Sequence, residues 1–289
     1  MVRTASWLLL LLFATTAVGQ TASDFTARYG YPDAEKFLVR PEITLAAHYG
    51  EDRTVCEMLI EPRNSAAMAT AIVSEIIDAL IPPGQRGIVL NELYESMGAA
   101  EAHDVEYQNV TIMRQFGRTQ PAIQDETSAI IVLVRKEGVC GSFSQDRPRL
   151  ELTASDLTAR YGEPVARRFK VRPDIRLAVT YGEDKAACEA SLGPMRSIIP
   201  RDEPTKYVRP EIATEIIDEV LPEADRGTLL SDVVGKSSCK DLQTQDYANV
   251  TIQRFRDNCR LPKPEIEGMA TIKFKNPSCG NGPQWVGLP

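Results

Sequence analysis

Apolar and polar residues alternate with period two over Ile43, Leu45, Ala47 and Tyr49 against Thr44, Ala46 and His48. The same alternation returns as Ile175, Leu177, Val179 and Tyr181 against Arg176, Ala178 and Thr180. Period two predicts a half-buried strand in each place. Gly50 to Arg53 then turns the chain into a second strand, where Cys56, Met58 and Ile60 share a face. The period next changes to helical. Ile72, Ile76, Ile77 and Leu80 are matched by Ile212, Ile216, Ile217 and Val220, Pro210 suits a first turn, and Pro82 and Pro222 stop the two helices. Leu90, Leu93 and Met97 are spaced for a second short helix. Asn109 to Arg114 and Ala129 to Arg135 read as two more strands, the first with Val110 and Ile112 inward; the last strand's counterpart turns Ala270, Ile272 and Phe274 inward. A short helical turn, Asp24 to Tyr29, capped by Ser23 or Asp24 and ended by Gly30, precedes the set. The order is ββαββ, an antiparallel sheet covered by helices on one face, which is the α+β class.

Every one of these elements occurs twice. Thr21 to Cys56 and Thr153 to Cys188 are identical at 23 of 36 positions, at an offset of 132 residues. The correspondence resumes at an offset of 140, as Glu75-Ile-Ile-Asp78 with Glu215-Ile-Ile-Asp218 and Tyr107-Gln-Asn-Val-Thr-Ile112 with Tyr247-Ala-Asn-Val-Thr-Ile252. Copy two therefore carries eight extra residues, around Ile198 to Lys206. A period of about 130 residues is domain-sized rather than solenoid-sized. The chain divides into a leader at 1–19, repeat domain 1 at 20–140, a polar linker at 141–148, repeat domain 2 at 149–279 and a loose tail at 280–289.

The leader has one basic residue, Arg3, six apolar residues from Leu8 to Phe13, and small residues at Ala17 and Gly19. This is the pattern of a secretory signal peptide, too short and interrupted for a membrane span. The expectation is a soluble exported protein, periplasmic or extracellular, without stable membrane insertion. A net charge of -7 and a pI near 5.1 argue against a nucleic-acid binder, because phosphate contacts need a basic face.

Export makes the six cysteines a disulfide framework, for which fifteen connectivities exist. The repeat narrows them, since Cys56 matches Cys188 and Cys140 matches Cys279. The simplest scheme is Cys56–Cys140, Cys188–Cys279 and Cys239–Cys259. Zinc is the rival reading, but there is no CxxC spacing, and the two histidines, His48 and His103, are not duplicated. No metal site, cofactor motif or GxSxG elbow is present, and both histidines read as surface residues.

Residues shared between copies are the remaining candidates for a ligand-contact set: Arg40, Tyr49, Glu51 and Asp52, with Arg172, Tyr181, Glu183 and Asp184. Arginine can clamp an anion through its planar fork, but it can equally pair with a nearby carboxylate and lock a loop to the sheet. Arg86-Gly87 and Arg226-Gly227 raise the same choice. Paired carboxylates, Glu51-Asp52, Glu75 with Asp78 and their equivalents, offer acid/base chemistry or simple turn and helix-surface roles. Asn109 and Asn249 each begin an Asn-Val-Thr acceptor pattern for glycosylation.

The motifs RYGxP, VRPxI, YGEDxxxC, EIIDxxxP, DRG and YxNVTI stand here at Arg28 to Pro32, Val39 to Ile43, Tyr49 to Cys56, Glu75 to Pro82, Asp225 to Gly227 and Tyr107 to Ile112. Together they resemble a group of uncharacterised secreted bacterial proteins. The resemblance implies export and carries over no catalytic residue. Copy one departs at DRG, with Gln85 in place of the aspartate. The functional expectation is a non-catalytic two-domain binding or interaction protein, contacting a protein or a cell-envelope ligand. A secreted hydrolase using a carboxylate pair and an inhibitor of extracellular enzymes are the alternatives, the latter resting on the 198–206 insertion.

Overall fold

The fold is seen in a computed structural model that describes residues 20–63, 68–97, 100–117, 126–127, 129–133, 152–194, 208–236, 240–257 and 267–279. The first copy runs α1 (Ala22–Tyr29), β1 (Ala34–Arg40), β2 (Ile43–Tyr49), β3 (Val55–Pro62), β4 (Met68–Ala69), α2 (Thr70–Leu80), α3 (Pro83–Arg86), β5 (Val89–Met97), β6 (Ala100–Tyr107), β7 (Thr111–Gly117), β8 (Glu126–Thr127) and β9 (Ala129–Leu133). The second runs α4 (Ala154–Tyr161), β10 (Ala166–Arg172), β11 (Ile175–Tyr181), β12 (Ala187–Pro194), α5 (Pro210–Val220), α6 (Glu223–Arg226), β13 (Leu229–Lys236), β14 (Lys240–Tyr247), β15 (Val250–Asp257) and β16 (Glu267–Phe274), then a 3-10 turn at Pro277–Cys279. Among the described residues fourteen strands form one sheet in the order β13-β14-β15-β16-β12-β11-β10-β1-β2-β3-β9-β7-β6-β5, and β4 pairs with β8 apart from it. Every pairing is antiparallel. The class is α+β, as the periodicity predicts.

Each amphipathic helix buries the stripe its spacing dictates. Val73, Ile76, Ile77 and Leu80 of α2 lie against the first half of the sheet, and Ala213, Ile216, Ile217 and Val220 of α5 against the second. Pro210 sits in the first turn of α5, where its missing N–H costs nothing. A buried arginine closes the exit of each helix. Arg86 Nε donates to the Ile81 carbonyl and its Nη2 pairs with Asp78; Arg226 does the same with Leu221 and Asp218. Gly87 follows at φ +77°, where an added Cβ would stand 2.7 Å from Gln108 Cβ, so the Arg-Gly motif admits no side chain at its second position. The arginines of this motif are therefore locks between helix end and sheet.

The two halves meet edge to edge, with β1 antiparallel to β10 and Glu35 opposite Arg167. These residues are 132 apart and so occupy equivalent places in the repeat, which puts them on the local twofold. The covering helices cross that boundary. Phe25 of α1 is buried among Phe169 and Tyr181, in the core of the second half, while Leu157 of α4 completes the core of the first. The exchange is reciprocal down to the polar contacts. Arg28 donates to the Glu219 carbonyl at the end of α5, and Arg160 to the Ala79 carbonyl at the end of α2. Unsatisfied carbonyls at a helix C-terminus attract such cations.

Several expectations are corrected by these contacts. Among the described residues, the core of each half takes a helix from the other copy, which the division into two copies does not anticipate. Leu90, Leu93 and Met97 lie in strand β5, not in a helix. The strand β5 pairs with β6 from Val89↔Tyr107 to Met97↔Ala100, and Leu90 and Leu93 are solvent-exposed, so their spacing reports no buried helical face. The element order of a half begins αβββ, with β1 and β10 additional to ββαββ. Along β2 all seven residues are buried, and His48 is among them rather than at the surface. The linker at 141–148, the leader at 1–19 and the insertion around 198–206 lie outside the described residues.

The disulfide Cys188–Cys279 is formed, tying β12 to the chain just beyond β16 with Cα atoms 5.3 Å apart. Cys56 is also disulfide-bonded. Its expected partner Cys140, and the pair Cys239–Cys259, lie outside the described residues. Among the described residues no helix is long and apolar enough to cross a membrane.

Candidate functional site

The residues expected to form one contact set are divided by the sheet. Arg40 and Tyr49 stand at opposite ends of the β1–β2 hairpin, since Arg40 pairs with Ile43 while Tyr49 lies beyond the Ala34↔His48 pair. Six residues of strand separate such ends by roughly 20 Å. Arg40 pairs with Glu75 on α2 at 2.8 Å, and Arg172 pairs with Glu215 and Glu219 on α5 at 2.9 and 2.5 Å. Both arginines of the Val-Arg-Pro motif thus link strand to helix. In the turns, Asp52 Oδ1 accepts from the Thr54 N–H at 3.1 Å and its hydroxyl at 2.6 Å, and Asp184 Oδ1 accepts from the Ala186 N–H at 3.0 Å. Glu51 and Glu183 point to solvent. Asn109 and Asn249 commit their Nδ2 atoms to the carbonyls of Gln85 and Asp225, at 2.8 and 2.9 Å, ahead of β7 and β15. These are contacts that hold α3 and α6 in place.

Tyr49 and Tyr181 do converge, at the local twofold. Glu35, only 3% exposed, accepts from the Tyr49 hydroxyl at 2.9 Å and from Arg167 Nε at 3.0 Å, with Arg53 Nη2 at 3.8 Å. Arg53, at φ +64°, stacks its guanidinium over Tyr31 and Tyr49. The Tyr181 hydroxyl is buried and has no hydrogen-bond partner among the described residues. Burial pushes the phenols of Tyr49 and Tyr181 up, so both stay protonated. On the opposite face of the sheet Asp33 bridges Arg168 at 2.9 Å and Arg176 at 2.5 Å. Beside them His48 Nδ1 lies 3.6 Å from Glu57, beyond hydrogen-bond reach. Burial first, then the Arg168 charge, hold the imidazole neutral with its pKa lowered to about 3. The carboxylates of Glu35 and Asp33 are paired with arginines of the other copy, which makes the junction an interlock.

The sequence contained a signal for the junction that motif reading passes over. Within a stretch otherwise repeated, Asp33-Ala34-Glu35-Lys36 is answered by Val165-Ala166-Arg167-Arg168. Equivalent positions with opposite charges are what a twofold contact between the copies requires.

A second polar constellation lies on the helix-bearing face of the outer hairpins, clear of α2 and α5. In copy one the Tyr94 and His103 rings are stacked with centroids 4.0 Å apart and planes 6° apart, and His103 Nε2 lies 2.7 Å from Glu92 Oε1. Tyr94 is 71% exposed. Arg114, the next residue across the sheet from His103, reaches Ser74 on α2 at 3.4 Å. Copy two repeats the layout with other residues. Gln243 and Gln245 both donate to Asp232 at 3.0 Å, holding its carboxyl below the usual range, and Arg254 reaches Thr214 on α5 at 2.8 Å. Each hairpin thus offers a carboxylate braced by planar donors, followed inward by an arginine fixed to the helix.

Comparison with known proteins adds little to this geometry. No family model matches the chain, and no curated protein matches it. A solved structure, a DUF4309 family protein (YjgB) from Bacillus subtilis subsp. subtilis str. 168, is similar over 43% of this chain and 80% of that one, at 12% identity and a TM-score of 0.20. At that score the likeness bears on neither fold nor function. Among the described residues no group of three or more His, Cys, Asp or Glu side chains is placed to hold a metal ion.

Proposed function

We propose that this chain is an exported, soluble, non-catalytic binding protein whose two outer hairpins are equivalent contact sites for a hydroxyl-rich cell-envelope ligand. The repeated braced carboxylate, Glu92 with His103 and Asp232 with Gln243 and Gln245, is the observation that carries the reading. Planar acceptors and donors held rigid in solvent match the hydroxyl groups of a saccharide, and the exposed Tyr94 ring supplies an apolar face beside them. Two such sites on one rigid sheet raise avidity for a repetitive ligand without requiring either to be tight. Export is supported by the leader pattern and by the Cys188–Cys279 disulfide.

The turn and helix carboxylates favour binding over hydrolysis. Asp52, Glu75, Asp78 and Asp184 are each engaged by a hydroxyl, an arginine or a backbone N–H. The test is retention on purified cell-wall polysaccharide. Tyr94→Ala should lower retention several-fold and Asp232→Ala should lower it further, both with unchanged melting. Retention indifferent to both changes, or glycan hydrolysis abolished by one Glu or Asp substitution, would defeat the proposal.

A further inference from the structure

Among the described residues the sheet ends on β5 at one side and on β13 at the other. An edge strand offers a row of main-chain N–H and C=O groups to which an extended segment can add as one more strand. Both edges also expose apolar side chains. Leu93 and Tyr94 on β5 are 44% and 71% accessible, and Val233 and Val234, at the equivalent places on β13, are 59% and 52%. What separates the two edges is charge. The β5–β6 hairpin, Val89 to Tyr107, has five carboxylates, Glu92, Glu95, Glu101, Asp104 and Glu106, and no lysine or arginine. The β13–β14 hairpin, Leu229 to Tyr247, sets two lysines, Lys236 and Lys240, against three aspartates. We propose that β5 is a docking edge for a cationic extended segment of a partner protein, which adds to the sheet as one further strand and carries the block basic, apolar, apolar, basic. The site goes beyond the saccharide contacts proposed above, and Glu95, on the face away from the Tyr94 ring, tests it separately.

The block follows from strand geometry. Consecutive residues of a strand point to opposite faces, and a residue of an added strand lies on the same face as the residue it opposes. Tyr94 pairs with His103 and Glu92 with Val105 on the helix-bearing face, while Leu93 pairs with Asp104 and Glu95 with Ala102 on the other. Each face of β5 thus presents one carboxylate and one apolar side chain. An antiparallel segment meets Glu95, Tyr94, Leu93 and Glu92 in turn, so its first and fourth residues oppose carboxylates and its middle two oppose apolar side chains. Opposite charges and apolar side chains directly across a strand pair both stabilise it. Glu92 is held in place by His103 at 2.7 Å. Glu95 is exposed, and its charge acts on Asp104, whose Oδ1 is buried without a hydrogen-bond partner and whose carboxyl is raised, by burial first and then by Glu95. A cation set opposite Glu95 relieves that repulsion. On β13 Gly235 takes the place of Glu95 and Lys236 follows it, so the same block finds one carboxylate there and a lysine beside the place of the other.

The probe is a fluorescein-labelled peptide, Thr-Lys-Val-Val-Lys-Thr, titrated with the full mature chain and read by fluorescence anisotropy. Binding should be saturable and should weaken as salt rises from about 0.02 to about 0.2 M, because exposed charges are screened. Exchanging both peptide lysines for glutamate should weaken it at least about tenfold. N-methylation of alternate main-chain nitrogens, which keeps the charges but removes the ladder donors, should abolish it. Glu95→Lys should weaken the lysine peptide about tenfold and bind Thr-Glu-Val-Val-Lys-Thr more tightly than the wild type does. Val233→Lys on β13 should change nothing. In hydrogen exchange the amides of β5 should gain protection when the peptide is added, and those of β13 should not. The proposal fails if the peptide does not bind at about 1 mM, if N-methylation or Glu95→Lys leaves binding unchanged, or if the protection appears on β13. A chain that ignores the peptide and sediments as a dimer would assign the edge to a second copy, which overturns the proposal as well.

Discussion

Replacing Arg167 with methionine should destabilise the protein more than any exposed substitution, because it strips a buried carboxylate of its partner. Glu35 is 3% exposed and would keep only the Tyr49 hydroxyl at 2.9 Å and a distant Arg53 at 3.8 Å. Leaving one member of a buried ion pair uncompensated costs about 3–5 kcal/mol. Against a total stability of about 5–15 kcal/mol that is a large fraction. At about 2–4 °C per kcal/mol for a chain of this size, the midpoint should fall by roughly 10 °C. The reciprocal pair supplies the control. Removing both charges, Glu35→Met with Arg167→Met, should recover most of the loss, since a buried pair barely outperforms apolar residues of similar volume. Exchanging them, Glu35→Arg with Arg167→Glu, should also recover part of it, because the two positions are equivalent about the twofold. Thermal denaturation of wild type, Arg167→Met, Glu35→Met and the double Met change closes the cycle, and the exchanged pair is measured beside them. If Arg167→Met lowers stability by less than about 1 kcal/mol, or if the double change is no better than the single one, the junction is not held in the way described.

Three further outcomes follow from the same structure. Phe25→Ala should cost about 3–5 kcal/mol and should loosen amide protection first in β10 and β11, against which Phe25 packs, rather than in its own half; loss confined to β1–β3 would contradict the helix exchange. His48, neutral in the fold with its pKa lowered to about 3, binds no proton where the unfolded chain, near 6.5, does. Its contribution is complete above pH 6.5 and is lost as pH falls toward 3, at up to about 1.4 kcal/mol per pH unit. Glu57, whose carboxyl burial raises, works in the opposite direction over the carboxylate range, so the comparison is between wild type and His48→Thr, the copy-two residue: urea denaturation should give the variant a flatter pH profile from 6.5 to 4, and parallel profiles would refute the assignment. Converting Cys188 and Cys279 to alanine opens a 91-residue loop and should cost about 4–5 kcal/mol in the chain-entropy model; an unchanged denaturation midpoint would show that the bond constrains nothing.

The reach of sequence reading differs element by element. The helices carrying Ile76 and Ile216 were legible because their periodicity is matched by burial on one face, and the strand Ile43 to Tyr49 because Ile43, Leu45, Ala47 and Tyr49 recur at the period of the face packed into the core. The Cys188–Cys279 bond was legible because the repeat removes most alternatives. The strand β5 was not, since its apolar residues are exposed and no packed face imposes a period on them. His48 sits on the polar phase of its strand, and alternation alone sends it to solvent; the charged groups around it, Glu57 of β3, Arg168 of β10, Arg176 of β11 and Asp33 just ahead of β1, come from outside its strand, beyond the window of any periodicity. The contact set of shared arginines and tyrosines failed to assemble for a related reason. Residues near each other in a motif lie at opposite ends of a hairpin when a strand separates them.

What the sequence determined by itself is local and repetitive: which faces are apolar, where turns and caps fall, that the unit occurs twice, and which cysteines are equivalent. Hydrophobic periodicity says that a face must be covered but carries no address for what covers it. Only the tertiary structure decided that α1 serves the second core and α4 the first, because the β1 and β10 edges pair and place each helix nearest the other copy's sheet. That pairing also turned Glu35 and Arg167, an unremarked mismatch between two repeats, into a buried ion pair on the axis between them.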